Sequence, residues 1–304
     1  MNDSPITASW IAADWGTSNL RVMAMGPDGG VLAQAGSADG MGSLAPDGFE
    51  PALLRLVAPW LGPGVTPVLA AGMVGARQGW TEAAYRAVPC PPLAPGQLTR
   101  APTRDPRLAV WIAPGLSQAR PADVMRGEET QIAGALALRP GFDGVICLPG
   151  THSKWAHLSA GEVVSFQTFL TGELYALLAG QSVLRHSLTG DEPDDMAAFD
   201  EALSEALSRP ERGAARLFSI RAESLLAGLP AAAARGRLSG LLIGMELAGA
   251  RPYWLGQPVL LVGSPALCDR YARALAAQGL QADTLSAADC TRAGLTTLLP
   301  GTLA

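Results

Sequence analysis

Lysine is almost absent from this sequence, since Lys154 is the only lysine among 22 basic residues. The basic residues are also outnumbered by 27 acidic ones, which leaves a formal net charge of -5. Because a protein that binds a nucleic-acid backbone needs a broad basic surface, this balance argues against nucleic acid as the main partner. Small molecules are therefore the expected ligands.

Long hydrophobic runs and paired cysteines are lacking as well. No apolar run approaches the roughly 18 residues that a membrane-spanning helix requires, and the first ten residues lack the basic start and apolar stretch of a signal peptide. The four cysteines lie far apart without a CxxC pair, which argues against a zinc site and a disulfide framework. We expect a cytoplasmic protein without a membrane partner, and cysteines that fill its core: Cys90, Cys147, Cys268 and Cys290.

The length and the pattern of apolar residues predict an α/β protein with one large core or two medium ones. The chain has 304 residues, whereas single domains usually have about 100 to 200. Strands are expected at residues 10–14, 20–25, 31–35, 65–71, 108–113, 144–148, 163–170 and 258–264. Helices are expected at residues 49–60, 128–138, 238–251, 265–278 (with a good N-terminal cap) and 287–299, in addition to a mostly helical region from 173 to 250.

A strand, a glycine-threonine turn and a second strand occur twice in this layout. The first turn contains Asp14, Gly16, Thr17 and Ser18. Small residues there let backbone N–H groups approach phosphate oxygens, and the carboxylate can hold a hydrated Mg²⁺. A plain hairpin turn explains the same residues, because a single DxGT pattern often occurs by chance.

The second turn contains Gly150, Thr151, His152 and Lys154, whose backbone and side-chain donors can converge on an anion. A compact point charge at the only lysine would serve such a site, but chance retention of one lysine explains it equally well. His152 is open to two interpretations, a phosphate ligand or a structural hydrogen-bonding residue.

Acidic residues lie between the two turns, close to the predicted start of the helix at 128–138. Asp123, Glu128 and Glu129 are either helix-capping partners or include a catalytic base. Their position between two candidate phosphate turns favours the catalytic interpretation, because a kinase needs a carboxylate that accepts the proton of the substrate hydroxyl.

Taken together, these motifs resemble the 2-dehydro-3-deoxygalactonokinase family of the actin-like ATPase superfamily. Five segments carry the resemblance in this order: AADWGTSNLR, GMVGARQGW, DVMRGEETQIAGAL, LPGTHSKW and TFLTGELYALL. It implies a two-domain actin-like (ribonuclease H-like) sugar kinase fold, in which each domain is a mixed five-stranded sheet flanked by helices and the active site lies in the interdomain cleft. The implied domains are 1–138 and 139–304.

The resemblance also implies an activity and a set of site residues. The activity is ATP-dependent phosphorylation of the 6-hydroxyl of 2-dehydro-3-deoxygalactonate, with Mg²⁺ as cofactor and Asp14 as its ligand. Glu128 stands where related kinases carry a catalytic aspartate, so our order for the base is Glu128, Asp14, Asp123. The implied ATP-binding residues are Gly16, Thr17, Ser18, Gly150, Thr151, His152 and Lys154, together with an adenosine turn at Gly263 and Ser264, whose second position is usually glycine.

The segments GMVGARQGW and TFLTGEL resemble the substrate loops of the family. A carboxylate substrate calls for a guanidinium or several N–H donors. The expected substrate residues are Arg77, Gln78, Trp80, Arg126, Thr171 and Glu173. Trp80 either stacks on the sugar or anchors the loop.

Three alternatives remain. One is a kinase for another sugar or sugar acid. Another is a non-catalytic sugar sensor of the same fold, which should carry a DNA-binding segment; none is recognisable before Trp10 or after Leu299. The third is a class I aldolase that uses Lys154 as a Schiff base and should be an eight-stranded barrel. The oligomeric state is left open, with a homodimer as one option.

Overall fold

The chain forms two mixed β-sheets that share the order of their first five strands in the computed structural model, which describes residues 6–299. The strands in chain order are β1 (Trp10–Trp15), β2 (Leu20–Met25), β3 (Val31–Ser37), β4 (Thr66–Gly72), β5 (Tyr85–Ala87), β6 (Thr99–Arg100), β7 (Leu108–Ile112), β8 (Gly115–Ala119), β9 (Ala122–Met125), β10 (Gly144–Leu148), β11 (Ser153–Ser159), β12 (Glu162–Phe169), β13 (Val259–Gly263) and β14 (Asp283–Ser286). The first sheet has the order β3-β2-β1-β4-β7-β6, and the second has the order β12-β11-β10-β13-β14.

Each sheet begins with an antiparallel hairpin and continues with parallel strands, and the first sheet ends with β6, which pairs antiparallel with β7. Strand β1 pairs antiparallel with β2 and parallel with β4, and β10 pairs antiparallel with β11 and parallel with β13. The turn at the end of β1 and the turn at the end of β10 therefore occupy equivalent positions in their sheets. A third, three-stranded sheet has the order β5-β8-β9.

Helices follow or connect the strands of both sheets. They are α1 (Phe49–Val57), α2 (Glu128–Leu138), α3 (Thr171–Gln181), α4 (Met196–Ser208), α5 (Gly213–Leu226), α6 (Ala231–Gly249), α7 (Arg251–Trp254), α8 (Pro265–Ala276) and α9 (Ala287–Thr296). Short 3-10 turns cover Met41–Ser43, Ala58–Trp60, Met73–Gly75, Val183–Ser187 and Pro210–Arg212. Within residues 6–299, none of the helices combines the length and the apolar composition that crossing a bilayer would require.

The chain divides into two units that are not continuous in sequence. The first contains the residues up to Phe142, the segment Ser159–Ser165 and the segment that begins at Ala287. The second contains Asp143–Leu158 and Phe166–Ser286. The predicted α/β class, with mixed sheets in a two-unit architecture, is confirmed, and the barrel that the aldolase alternative requires is excluded.

Each unit has its own hydrophobic core. In the first unit one cluster includes Trp15, Phe49 and Leu53, and a second cluster includes Trp10 and Leu295 of α9. In the second unit, β10, β13, α4, α6 and α8 bury the large side chains Trp155, Phe199, Trp254 and Tyr271. The four cysteines are all buried, as predicted.

Helices α2 and α9 pack against each other in the first unit through two glycines. A Cβ atom at Gly134 would lie 1.7 Å from the backbone oxygen of Cys290, and one at Gly294 would lie 2.0 Å from the backbone oxygen of Thr130. No larger residue fits at either position without moving a backbone. This contact fixes the helix whose first turn carries Glu128.

Several predicted elements differ from the structure. Helix α1 ends at Val57 and continues as a 3-10 turn, because Pro59 has no N–H to continue the α-helix. The first sheet has six strands instead of five, since the short β6 joins its edge. The sheet β5-β8-β9 was not predicted. Ser264 occupies the N-cap position of α8, but its side chain makes no capping hydrogen bond.

Candidate functional site

The turn between β1 and β2 is tight, and hydrogen bonds from residues 41 and 42 hold its backbone in place. The N–H of Gly16 donates to the backbone oxygen of Asn19 at 2.9 Å, while Thr17 and Ser18 are exposed. The N–H groups of Met41 and Gly42 donate to the backbone oxygens of Gly16 and Thr17 at 3.0 and 2.9 Å. This bracing fixes the backbone of the turn and leaves its small side chains accessible.

Asp14 lies on β1 immediately before this turn. Its Oδ2 is 3.5 Å from Nη1 of Arg21 on the neighbouring strand. Burial raises the pKa of the Asp14 carboxyl, and the charge and hydrogen bond of Arg21 oppose this rise. Asp14 also lines a cavity of about 550 Å³ with Arg21, Gln34 and Gln131. The carboxylate is thus partly buried but open to a ligand.

The start of α2 meets the end of β4 beside the first turn. Gly72 pairs with Trp15 in the sheet, and a Cβ atom at Gly127 would lie 3.3 Å from the Cα of Gly72. Gly127 has a φ of 105°, a conformation that favours glycine. Gln131, one helical turn after Glu128, lines the same cavity as Asp14. The structure therefore brings the region of Glu128 close to Asp14.

The two glutamates at the start of α2 have different environments. Oε2 of Glu128 accepts a hydrogen bond from the backbone N–H of Arg126 at 3.0 Å. Glu129 has no exposed surface, and its carboxylate accepts hydrogen bonds from the N–H of Gly127 at 2.6 Å and from Oγ1 of Thr130 at 2.9 Å. Burial, with the charge of Glu128, raises the pKa of Glu129 to about 8. At neutral pH Glu129 is therefore mostly protonated.

Asp123 lies before helix α2, which begins at Glu128 as predicted. It is on β9, where it pairs with Gln118 of β8, and its Oδ1 accepts a hydrogen bond from the N–H of Val124 at 2.8 Å. The DVM segment of the motif belongs to β9 of the hairpin β8–β9. This placement weakens the case for Asp123 as the base.

The predicted substrate loop follows β4, and its residues face different surroundings. Arg77 and Gln78 are exposed. The Trp80 ring stacks on Phe49 at a centroid distance of 6.2 Å and contacts the edge of Trp15 at 6.0 Å. Trp80 therefore anchors the loop to the core of the first unit, in agreement with the second of its two interpretations.

Arg126 is 8% exposed and packs under this loop. Its Nη2 donates to the backbone oxygen of Ala83 at 2.7 Å, and its guanidinium carbon lies 4.3 Å from the centroid of the Tyr85 ring. Its Nε and Nη1 have no hydrogen-bond partner within the described part of the chain. A buried guanidinium with two unused donors requires either compensation by the aromatic ring or a ligand acceptor.

The second turn, between β10 and β11, is joined to the start of α3. The N–H of Glu173 donates to the backbone oxygen of Thr151 at 2.9 Å, and Nε2 of His152 lies 2.6 Å from Oε2 of Glu173. A Cβ atom at Gly172 would lie 2.3 Å from the backbone oxygen of Gly150. The predicted phosphate ligand His152 and the predicted substrate ligand Glu173 therefore contact each other.

Lys154 lies on β11 instead of in the turn. It pairs with Leu148 and is 4% exposed. The apolar strand pattern around it explains this position, since β11 is buried at Ser153, Lys154, Trp155 and Ala156. Its ammonium group is thus less accessible than the turn prediction implied.

A buried carboxylate that the sequence analysis missed lies behind the second turn. Glu246 of α6 accepts hydrogen bonds from Nε1 of Trp155 at 2.8 Å and from the hydroxyl of Tyr271 at 2.7 Å. Burial raises the pKa of Glu246, and hydrogen bonds from Thr171, Tyr271, Trp155 and Ser153 oppose the rise. The only signal for Glu246 in the sequence is that a carboxylate stands within the apolar helix pattern of α6.

A cavity of about 230 Å³ lies between α3, α6 and α8 of the second unit. Gly150 of the second turn and Thr171 and Gly172 of α3 form one side. The remaining wall is mostly apolar or aromatic, with two polar side chains: Tyr175, Leu242, Ile243, Leu267, Tyr271, Ser239 and Arg270. The cavity is smaller than the roughly 300 Å³ at the lower end of common ligand pockets, so it suits one planar ring system.

Arg270 is held in a fixed orientation at this cavity. Its Nη2 donates to Oδ2 of Asp194 at 2.5 Å and its Nη1 to Oγ of Ser239 at 2.9 Å. The predicted adenosine turn adjoins the same wall, because β13 ends at Gly263 and Ser264 precedes the first residue of α8. The cavity residues of α3 lie within the predicted segment TFLTGELYALL, whereas those of α6 and α8 lie outside the five motif segments.

Known proteins resemble this chain over nearly its whole length. A family model described as 2-keto-3-deoxy-galactonokinase matches residues 14–298. A Rhizobium meliloti (strain 1021) protein, named probable 2-dehydro-3-deoxygalactonokinase, is 44% identical over 299 residues, which are 95% of this chain and 96% of that protein. The Escherichia coli (strain K12) protein named 2-dehydro-3-deoxygalactonokinase is 36% identical over 296 residues, 95% of this chain and 97% of that protein.

A solved structure shows the same fold. The crystal structure of a Sinorhizobium meliloti protein assigned to 2-dehydro-3-deoxygalactonokinase has a TM-score of 0.87 and 42% sequence identity, and the match covers 95% of this chain and 97% of that one. Sequence and structure thus agree over both units. The chain belongs to the 2-keto-3-deoxy-galactonokinase family.

Proposed function

We propose that this protein transfers the terminal phosphoryl group of ATP to the 6-hydroxyl of 2-dehydro-3-deoxygalactonate. The bond between the β–γ bridging oxygen and the γ-phosphorus breaks, a bond between that phosphorus and the substrate oxygen forms, and the hydroxyl proton passes to a base. The products are ADP and 2-dehydro-3-deoxy-6-phosphogalactonate. The family match and the names of the two curated relatives support this reaction.

The repeated sheet layout is the structural observation that carries the proposal. Each sheet has a small-residue turn between its first two antiparallel strands, at Gly16 to Ser18 and at Gly150 to Thr151. Each turn offers backbone N–H groups that can donate to phosphate oxygens. In phosphoryl transfer the protein acts mainly by positioning and by stabilising charge, so fixed backbone donors are the groups that this chemistry needs.

The cavity between α3, α6 and α8 is our choice for the adenine ring. Its aromatic and aliphatic wall favours a planar base, and the oriented Arg270 can contact the face or edge of that base. Gly150 lines the same cavity, so a bound nucleoside would direct its phosphates toward the second turn. His152 is then near the phosphates, with Glu173 as its partner.

Asp14 fits the role of a Mg²⁺ ligand. Mg²⁺ usually keeps several waters and is bound through one or two carboxylates and the substrate phosphates, so a cage of protein ligands is not required. The half-buried Asp14 carboxylate beside the first turn meets that need. When bound, the ion would neutralise charge on the phosphates.

The first unit would bind the sugar acid. Arg77 and Gln78 are exposed on the loop after β4 and can reach a carboxylate ligand. Arg126 holds this loop through Ala83, and its unpartnered Nε and Nη1 can donate hydrogen bonds to a ligand oxygen. Thr171 of the second unit stays a proposed substrate residue by resemblance alone, and its hydroxyl hydrogen-bonds to Glu246.

Glu128 is our first choice for the base that accepts the hydroxyl proton. A base must be ionised at working pH, and the raised pKa of the neighbouring Glu129 makes that residue a poor proton acceptor at pH 7. Asp14 and then Asp123 follow. A cytoplasmic location also stays part of the proposal, since the reaction consumes ATP.

The test is ADP release with Mg·ATP against a panel of sugars and sugar acids. We expect turnover with 2-dehydro-3-deoxygalactonate, and a loss of at least about 100-fold in kcat for Glu128→Gln or Asp14→Asn. Glu50→Gln is the matched control, because Glu50 lies in the first turn of α1. If no acceptor stimulates ATP use while calorimetry detects sugar binding, the protein is a sensor and the kinase proposal is wrong.

A further inference from the structure

Glu246 is a carboxylate with 2% of its surface exposed, deep in the second unit. Its Oε1 accepts from the indole of Trp155 at 2.8 Å and its Oε2 from the hydroxyl of Tyr271 at 2.7 Å. Oγ of Ser153 lies 3.0 Å from the same Tyr271 hydroxyl. The side chains of Ser153 and Thr171 also hydrogen-bond to Glu246. Four donors thus converge on one buried acceptor.

The donors come from separate elements that surround the proposed nucleotide site. Ser153 is the first residue of β11 and directly follows the second turn. Thr171 is the first residue of α3, and Tyr271 belongs to α8; both line the cavity of about 230 Å³. Leaving a buried carboxylate without donors costs several kcal/mol. The hydrogen bonds to Glu246 therefore hold β11, α3 and α8 in fixed positions against α6.

We propose that Glu246 is a positioning residue for nucleotide binding, one that keeps the second turn, the start of α3 and α8 in the arrangement that forms the nucleotide site. It acts through its donors and does not touch the nucleotide itself. The inference rests on the proposed function, since it concerns the same nucleotide site. It assigns to Glu246 an effect on nucleotide affinity that is separate from its effect on stability.

A purely structural role makes a different prediction, and the chain offers a control that separates the two. Trp254 is buried in the same core cluster as Trp155, and its Nε1 donates to the backbone oxygen of Leu247 at 2.8 Å. Leu247 is the residue next to Glu246 in α6. Trp254→Phe therefore removes a comparable buried hydrogen bond from the same helix without reaching the cavity.

The principal variant is Glu246→Gln, which keeps the size of the side chain. Its amide oxygen can still accept from Trp155 and its amide nitrogen can donate to Tyr271, but it cannot accept from all four donors. We expect the Kd for ADP, measured by titration calorimetry well below the melting temperature, to rise about tenfold. The affinity for the sugar acid, measured without nucleotide, should fall less than the affinity for ADP, because Thr171 is the only one of the four donors that is also a proposed substrate residue.

Ser153→Ala provides a second, milder variant if Glu246→Gln does not fold. Ser153 is fully buried and is absent from the cavity wall, so a higher Kd for ADP would arise through the network. The proposal is overturned if the folded variants lower Tm as Trp254→Phe does while their Kd for ADP equals that of the wild type. If the wild type itself binds no adenine nucleotide, the proposed function fails and the positioning role fails with it.

Discussion

His152 and Glu173 share a contact of 2.6 Å between Nε2 and Oε2, which joins the second glycine-containing turn to the first turn of α3. Both side chains are nearly half exposed, so the contact should contribute little to stability. The contact instead orients the imidazole of His152 next to the proposed phosphate site. The pair therefore offers a direct test of how that turn is organised.

We expect His152→Ala and Glu173→Ala each to lower kcat/KM by about tenfold or more, with Tm changed by only a few degrees. The double variant should lose scarcely more activity than either single one, because each substitution already breaks the pair. Steady-state kinetics and thermal melts of the four proteins measure this cycle. Strictly additive losses would mean that the two residues act independently.

Gly172 should tolerate no side chain, whereas Gly180 in the same helix should. A Cβ atom at Gly172 would lie 2.3 Å from the backbone oxygen of Gly150, and one at Gly180 would meet no atom within 4 Å. Gly172→Ala is expected to lower both Tm and the affinity for ADP. Gly180→Ala should stabilise the protein by about 0.5 to 1 kcal/mol, since alanine favours a helix. Denaturant titrations measure the stability of both variants, and calorimetry measures their affinity for ADP. Equal results for the two variants would contradict the close packing of Gly172 against the second turn.

Glu129 should make the protein less stable as the pH rises. Its pKa is about 8 in the folded state and lies near its ordinary value of 4.5 when the chain is unfolded. Between these two pH values the folded state binds more protons than the unfolded state. The stability that Glu129 contributes is therefore fully present below pH 4.5 and is lost as the pH rises through 8. One such group contributes a slope of at most about 1.4 kcal/mol per pH unit.

The measurement is the free energy of unfolding of wild type and Glu129→Gln from pH 5 to 9. The neutral variant should lose less stability over this range, because glutamine has no proton to release. Curves that run parallel across the whole range would show that Glu129 is already ionised in the folded protein.

Arg126→Lys should weaken sugar-acid binding more than it weakens nucleotide binding. Lysine keeps the charge but lacks the planar fork that reaches Ala83 and stacks on Tyr85, so the loop after β4 would lose its support. We expect the KM for the sugar acid to rise about tenfold, with the KM for ATP little changed. Arg100→Lys is the control, because Arg100 lies 5.0 Å from the Trp111 ring in another aromatic contact. A similar rise in that variant would trace the effect to general loss of stability.

Much of the fold could be predicted because local signals agreed with the tertiary structure. Helix α2 and strand β10 have the predicted bounds, 128–138 and 144–148. Their limits carry strong signals, a glycine with positive φ at Gly127 and the proline-glycine pair before β10. The two turns were visible for the same reason, since small residues between apolar strands leave a clear pattern.

The remaining features depend on contacts between distant residues. The hairpin β8–β9 was missed because its short strands, GLSQA and ADVM, have little apolar alternation. Glu246 is marked in the sequence only by its place in an apolar helix, and no local pattern reveals its contacts, because its partners come from β11, α3 and α8. Arg77 was chosen by residue type, whereas the anchoring of Trp80 followed only from its contacts with Phe49 and Trp15.

The packing of α9 against α2 has a consequence for how the chain acquires its structure during synthesis. Helix α9 is encoded after the entire second unit, yet it contributes to the core of the first unit through Leu295. When the ribosome has made β1 to α2, the surface around Gly134 still lacks its partner. The second unit can form around β10 and β13 as soon as α8 and β14 emerge, while the first unit is completed last, although its residues are made first.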